Sequence, residues 1–303
     1  AVDRRGFSLV GFVPAGAEAS LIPAERRLDA SGGLLALARA HGVDEIVVGA
    51  DDRRGSLPMS DLLECRLAGI QVTDLATFFE REAGKIKLGI VDPSWLVFSD
   101  GFDRRQWRQV TKRAFDMAAS TILLLLAAPL MLLTALAIWL ESGFKGPIIY
   151  RQERVGEGGR VFTVLKFRSM RTDAEKDGKA VWAQKDDDRI TTVGRVIRKL
   201  RIDELPQVFN VLRGDMSFVG PRPERPCFVA DLSKQIPYFG LRHCVKPGIT
   251  GWAQLRYAYG ASVEDSAEKL KFDLYYAKNH SLVFDLMILM QTVEVVLFGK
   301  GAR

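Results

Sequence analysis

The sequence predicts an α/β protein. An N-terminal Rossmann-like parallel-sheet module is followed by a mixed α/β domain, and a kinked, re-entrant membrane helix lies between them. Three observations predict this. Apolar strand-like runs alternate with amphipathic helical stretches over the first hundred residues. A long apolar run, Ala118–Leu140, carries Pro129 at its centre. The remainder, from Pro147 to Arg303, mixes helix and strand patterns and is rich in Arg and Gly.

In the first module (residues 1–98) strands are expected at Phe7–Val13, Glu45–Ala50 and Ile70–Thr73. Helices are expected at Gly33–His41, Ser60–Leu67 and Leu75–Ala83. Such alternation favours parallel pairing through right-handed crossovers. Val13-Pro14-Ala15-Gly16 follows the first strand, where a dinucleotide-binding module would carry Gly-x-Gly-x-x-Gly. An accessory, regulatory module is therefore expected. A basic connector, 99–113, sets Arg104, Arg105, Arg108, Lys112 and Arg113 around Trp107.

The membrane helix is assigned to residues 114–146. Its apolar run is broken only by Ser120, Thr121, Pro129 and Thr134, and is long enough to span a bilayer. Pro129 removes a helical hydrogen bond near the midpoint. Cations flank both ends, with Lys145, Arg151 and Arg154 on the far side, so both ends are expected at the cytoplasmic face. A helix that dips into one leaflet and returns satisfies both facts; a straight transmembrane helix is the alternative. Near the C-terminus, Leu282–Phe298 is apolar but punctuated by Asp285, Gln291 and Glu294. That pattern suits a helix in the membrane interface, or one packed on a core.

Charge is unevenly spread. Residues 1–100 carry 11 Lys+Arg against 15 Asp+Glu, and residues 101–303 carry 32 against 22. The basic part calls for an anionic partner: nucleic acid, a phosphorylated ligand or an anionic lipid surface. Cys65, Cys227 and Cys244, like His41, His243 and His280, are too scattered for a disulfide framework or a zinc site.

The chemistry concentrates between Arg201 and Asp215. Leu205, Val208, Phe209 and Leu212 fall on one face of a short helix. Pro206 suits its first turn and Gly214 its stop, so the helix is expected to start at Asp203 or Glu204. Two carboxylates then sit where unpaired N–H groups and the helix dipole favour negative charge. Alone, such a pair reads as an ordinary N-cap. Here Arg198, Lys199 and Arg201 precede it, and Pro221 and Pro223 flank Arg222, fixing the direction of its guanidinium. Lys166, Arg168 and Arg171 add further cations. Cations arranged around a carboxylate pair suit a diphosphate.

In these residues the chain resembles the bacterial sugar transferases, monotopic polyprenol-phosphate phosphoglycosyl transferases. The resemblance covers about Thr111–Gly299 and rests on six motifs in order. The first three are the Lys-Arg-x-Phe-Asp entry to the anchor, Lys166-Phe-Arg-Ser-Met170 and Asp203-Glu-Leu-Pro-Gln207. The others are Gly214-Asp-Met-Ser-Phe-Val-Gly-Pro-Arg-Pro223, Lys246-Pro-Gly-Ile-Thr-Gly-Trp-Ala-Gln254 and Phe272-Asp-Leu-Tyr-Tyr-Ala-Lys-Asn279. The N-terminal module is similar to that of the larger members, which initiate exopolysaccharide and O-antigen synthesis and carry preceding transmembrane helices; a missing N-terminal segment is expected.

The resemblance implies that residues 147–303 form the catalytic domain, on the cytoplasmic face of a bacterial inner membrane. It implies Asp203 as the nucleophile that takes a phospho-sugar from a UDP-sugar, with UMP leaving, and passes it to polyprenyl (undecaprenyl) phosphate. Glu204 would bind Mg²⁺. Lys166, Arg198 and Arg222, clamped by Pro221 and Pro223, would contact phosphate or nucleotide. Asp273 matches a further functional position, and Arg256 is a candidate ligand. Glucose or galactose is the implied sugar, with N-acetylated sugars open; membrane lipids and a second copy in a homodimer are the implied partners. Two departures stand out. Leu255-Arg-Tyr-Ala-Tyr-Gly260 replaces the usual Asn-Gly-Arg or similar sequence, and Ala128 replaces the Ser that often precedes the anchor proline.

Two rival readings follow from the residues. Asp186-Asp-Asp188 could serve a metal-dependent glycosyltransferase that releases UDP, although that triplet reads more simply as a polar loop. A membrane-docked protein binding anionic polymer would use the basic surface alone. Nucleic acid is not an expected partner, because no recognition helix accompanies the basic groups.

Overall fold

The computed structural model describes residues 6–14, 22–49, 57–91, 93–102, 105–172, 188–257, 260 and 262–298. Arg104, Asp186, Asp187 and the Ala15-Gly16 turn lie outside the described residues. The chain divides into two compact units, Ala1–Phe98 and Ser99–Arg303.

Unit 1 holds α1 (Leu34–Ala40), β1 (Glu45–Val48), α2 (Met59–Leu67), β2 (Gln71–Asp74), α3 (Leu75–Ala83) and α4 (Pro93–Phe98). β1 and β2 pair in parallel, Glu45 opposite Gln71, with α2 as the crossover. Cys65 on α2 is fully buried against Ala38 and Ile70, which gives this βαβ unit its core. Asp74 ends β2 and caps α3 by accepting from the Thr77 amide. The strand expected at Phe7–Val13 is corrected. Among the described residues its only bridge joins Phe12 to Arg27, and Leu9, Val10, Phe12 and Val13 stay exposed, so the apolar run buries no continuous face.

Unit 2 opens with α5, a single helix from Gln106 to Glu141 with Pro129 inside it. The predicted connector thus supplies the first turns of this helix. Then follow the hairpin β3 (Ile149–Val155) and β4 (Val161–Phe167), α6 (Thr192–Lys199) and α7 (Gln207–Arg213). The chain continues through β5 (Ser217–Val219), α8 (Pro226–Gln235), β6 (Gly248–Thr250), α9 (Trp252–Arg256), α10 (Val263–Asn279) and α11 (Leu282–Phe298). β3 and β4 are antiparallel, whereas β5 and β6 pair in parallel. The core centres on Val211, Met216, Val219, Trp252, Tyr276 and Ile288.

Both ends of α5 are fastened to this same unit. At its start Arg113 donates to the carbonyls of Val211 and Leu212, capping α7. Asp116 accepts from the Ser217 hydroxyl and the Phe218 amide. At its end Ile138 is buried with Phe167 and Ile197, and Glu141 accepts from the Val193 amide on α6. Between these anchorages Leu125, Leu126, Leu132 and Leu133 are exposed, and only 17% of the most apolar window is buried. A core helix of a soluble protein would bury most of that surface.

Candidate active site

The carboxylate pair sits on a tight turn. Ile202–Glu204 form one turn of 3-10 helix, and α7 begins only at Gln207 with Pro206 as its cap. The helix start expected at Asp203 or Glu204 is therefore corrected to a separate preceding turn. Arg201 enters it at φ +59°, a left-handed conformation that costs a residue with a Cβ about 1–2 kcal/mol. The expected apolar face is also rotated. Val208 and Val211 are buried together with Asn210, while Phe209 is partly exposed. Asn210 turns inward because its amide accepts from the Leu165 amide and donates to the Thr163 carbonyl. This fixes α7, and the turn before it, against β4.

β4 presents Lys166 to the turn, and the segment after β5 presents Arg222. Lys166 Nζ lies 3.1 Å and Arg222 Nη2 3.0 Å from the same oxygen, Glu204 Oε1. Asp203 has no hydrogen bond or ion pair to its carboxylate among the described residues, although Lys166, Arg198 and Arg201 act on it through space. Burial, and then the adjacent Glu204 charge, push the Asp203 carboxyl above the usual range. Burial would raise Glu204 too, but the Arg222 and Lys166 charges outweigh it and hold that carboxyl well below the usual range. Burial lowers Lys166, and Glu204 opposes the shift.

The other expected residues fall as follows. Pro221 and Pro223 are buried beside a half-buried Arg222. Asp273 is buried and paired with Arg242 at 2.7 Å. Burial pushes its carboxyl up to about 6 against the pull of the Arg242 charge. Arg256 is exposed and stacks over Trp252 at 4.1 Å. Sequence reasoning missed Arg242, which donates to the Arg222 carbonyl, and Asp285, which is buried against Lys112. A charge inside the apolar pattern of α11 was the available signal for Asp285.

The donors present are hard oxygens. Glu204 Oε1 takes Lys166 and Arg222, while Arg198 and Arg201 add positive field at Asp203. Carboxylate oxygens beside a bound diphosphate would suit a hard divalent cation such as Mg²⁺. Among the described residues no three His, Cys, Asp or Glu side chains gather into a larger metal-binding group.

The profile of the family described as "Bacterial sugar transferase" matches residues 107–299. The chain belongs to that family. It is 44% identical over 250 residues to a UDP-N-acetylgalactosamine-undecaprenyl-phosphate N-acetylgalactosaminephosphotransferase of Aeromonas hydrophila, covering 80% of this chain and 56% of that protein. It is 45% identical over 202 residues to an undecaprenyl-phosphate glucose phosphotransferase of Komagataeibacter xylinus, covering 65% of this chain and 38% of that one. A UDP-glucose:undecaprenyl-phosphate glucose-1-phosphate transferase of Caulobacter vibrioides is 46% identical over 194 residues, 63% of this chain and 71% of the relative. The chain thus spans 56% and 38% of the first two relatives. The bacterial sugar transferase match falls within unit 2, the unit that carries Lys166, Asp203, Glu204 and Arg222.

Proposed function

We propose that this chain transfers a phospho-sugar from a UDP-sugar to undecaprenyl phosphate through a covalent intermediate on Asp203. The observation that carries the proposal is the asymmetry of the pair: Glu204 is gripped by two cations, and Asp203 beside it has no ion pair among the described residues. Adjacent acids with opposed environments divide the work between holding charge and making bonds.

In the first step an Asp203 oxygen attacks the β-phosphorus. The bond from that phosphorus to the bridging oxygen breaks, and UMP departs with the electron pair. In the second, a phosphate oxygen of the lipid attacks the same phosphorus, the bond to Asp203 breaks, and polyprenyl diphosphate sugar leaves. Arg222 and Lys166 supply fixed positive charge for the developing oxyanions. Glu204, with the substrate phosphates, would hold Mg²⁺, which when bound neutralises the diphosphate.

The re-entrant reading of α5 belongs to this proposal. Crossing the hydrocarbon would separate the helix ends by ~30 Å, yet Asp116 and Glu141 both bind unit 2. A bend at Pro129, beneath a catalytic unit on the cytoplasmic face, would keep Asp203 at headgroup depth, where the lipid phosphate lies. Unit 1 is assigned an accessory role.

The test is UMP release in detergent or nanodiscs with undecaprenyl phosphate. UDP-glucose, UDP-galactose and UDP-N-acetylgalactosamine form the panel. At least one should give UMP and lipid-linked sugar, and Asp203→Asn should abolish both. UDP as the product, or wild-type turnover by Asp203→Asn, would refute the mechanism.

A further inference from the structure

Arg222 is aimed by its backbone, and that backbone is held almost residue by residue. The Val219 carbonyl accepts from Lys112 Nζ at 3.2 Å and lies 2.9 Å from the Tyr276 hydroxyl, whose single proton it shares with Asp285. The Pro221 carbonyl accepts from the Gly248 amide at 3.0 Å. The Arg222 carbonyl accepts from Arg242 at 2.9 Å, and that of Pro223 from Arg154 at 3.0 Å. A Cβ on Gly220 or Gly248 would collide with the backbone of the neighbouring segment, so this pairing leaves no slack.

The Val219 grip comes from the membrane anchor. Lys112 and Asp116 lie one turn apart on α5, and together they hold three consecutive residues, Ser217, Phe218 and Val219. Asp285 orients the donors, with Lys112 Nζ 2.5 Å from one of its oxygens and the Tyr276 hydroxyl 2.7 Å from the other. Asp285 is 1% exposed and Tyr276 likewise. Burying these charged and polar groups is costly unless each is paired. Here Lys112 and Tyr276, both held by Asp285, meet at the carbonyl three residues before Arg222.

We propose that Lys112, Asp285 and Tyr276 are positioning residues that tie the seat of the anchor helix to the direction of the Arg222 guanidinium at Glu204. The inference rests on the phosphoglycosyl transferase reading for its kinetic arm alone. A shift of α5 would reach the site through Lys112 with no ligand contact of its own, and the anchor and Arg222 would work as one part.

Two measurements on the full chain in nanodiscs test this. The first is a double-mutant cycle of Lys112→Met with Arg222→Met, read as kcat/KM for UMP release from UDP-glucose and UDP-N-acetylgalactosamine. Lys112→Met should lose about tenfold in the wild-type background and less than about twofold when Arg222 is already gone. A purely structural role would give the same loss in both. The second is hydrogen exchange across Phe218–Arg225, which should quicken in Lys112→Met and, more mildly, in Tyr276→Phe, a variant that keeps Lys112 on Val219. Exchange needs no turnover, so if no UDP-sugar releases UMP the functional reading falls while the clamp is still decided. Unchanged exchange, or a full loss by Lys112→Met in the Arg222→Met background, would overturn the proposal.

Discussion

Asp203 and Glu204 are neighbours on one turn, and their surroundings push them in opposite directions. Burial and the Glu204 charge raise Asp203, whereas Arg222 and Lys166 hold Glu204 ionised. A nucleophilic carboxylate must be ionised, so kcat/KM should fall as pH drops through the raised Asp203 value. That acid limb should lie above the ~3.9 of a free Asp. Glu204→Gln removes the like charge and frees two cations to act on Asp203. Residual activity should therefore keep its acid limb at a lower pH than wild type, whereas activity and limb would both vanish if Glu204 were the nucleophile. A pH series of UMP release reads both. Arg222→Lys keeps the charge but loses the planar fork, and should lower kcat/KM by about tenfold or more with little change in thermal stability. At this scale the sequence was informative: the carboxylates and Arg222 announce themselves by proximity in the chain. Lys166 reaches Glu204 from 38 positions away, and only its motif marks it. Arg242 and Asp285 stayed hidden, because their partners are long-range and their role is to hold backbone.

At the scale of elements, propensity and punctuation located the helices better than they oriented them. Gly214 stops α7 in the left-handed conformation, as its position suggests. The inward face of α7 was misjudged, because hydrophobic periodicity counts Phe209 as core and Asn210 as surface. The amide of Asn210 is worth burying only where two unpaired β4 backbone groups await it, and no local pattern reveals that. Asn210→Leu should leave the Leu165 amide and Thr163 carbonyl unsatisfied, costing about 1–3 kcal/mol for each. The lowered melting temperature should come with weakened UMP release, since the same contact fixes the turn that carries Asp203 and Glu204. The expected Phe7–Val13 strand failed for a related reason. A run of apolar residues becomes a strand only when a partner edge and a surface to bury against both exist.

The two-unit division follows the composition, with an acidic first third and a basic remainder. The long helix α5 was legible as an apolar run, but its fastening was not. Lys112, Arg113 and Asp116 sit at one end and Glu141 at the other, all bonded to unit 2. If α5 is re-entrant, cysteines placed at Trp107 and Lys145 should both react with a membrane-impermeant maleimide from the cytoplasmic side in inverted vesicles. Protection of one until the opposite side is opened would mean a crossing helix. One measurement isolates the covalent handoff: UMP released by the purified chain from a UDP-sugar with no lipid acceptor present. A handoff through Asp203 gives a burst of about one equivalent per active site that then stops, resumes on adding undecaprenyl phosphate, and vanishes in Asp203→Asn. Turnover that yields no UMP until the lipid is added would mean direct transfer, with Asp203 in some other role.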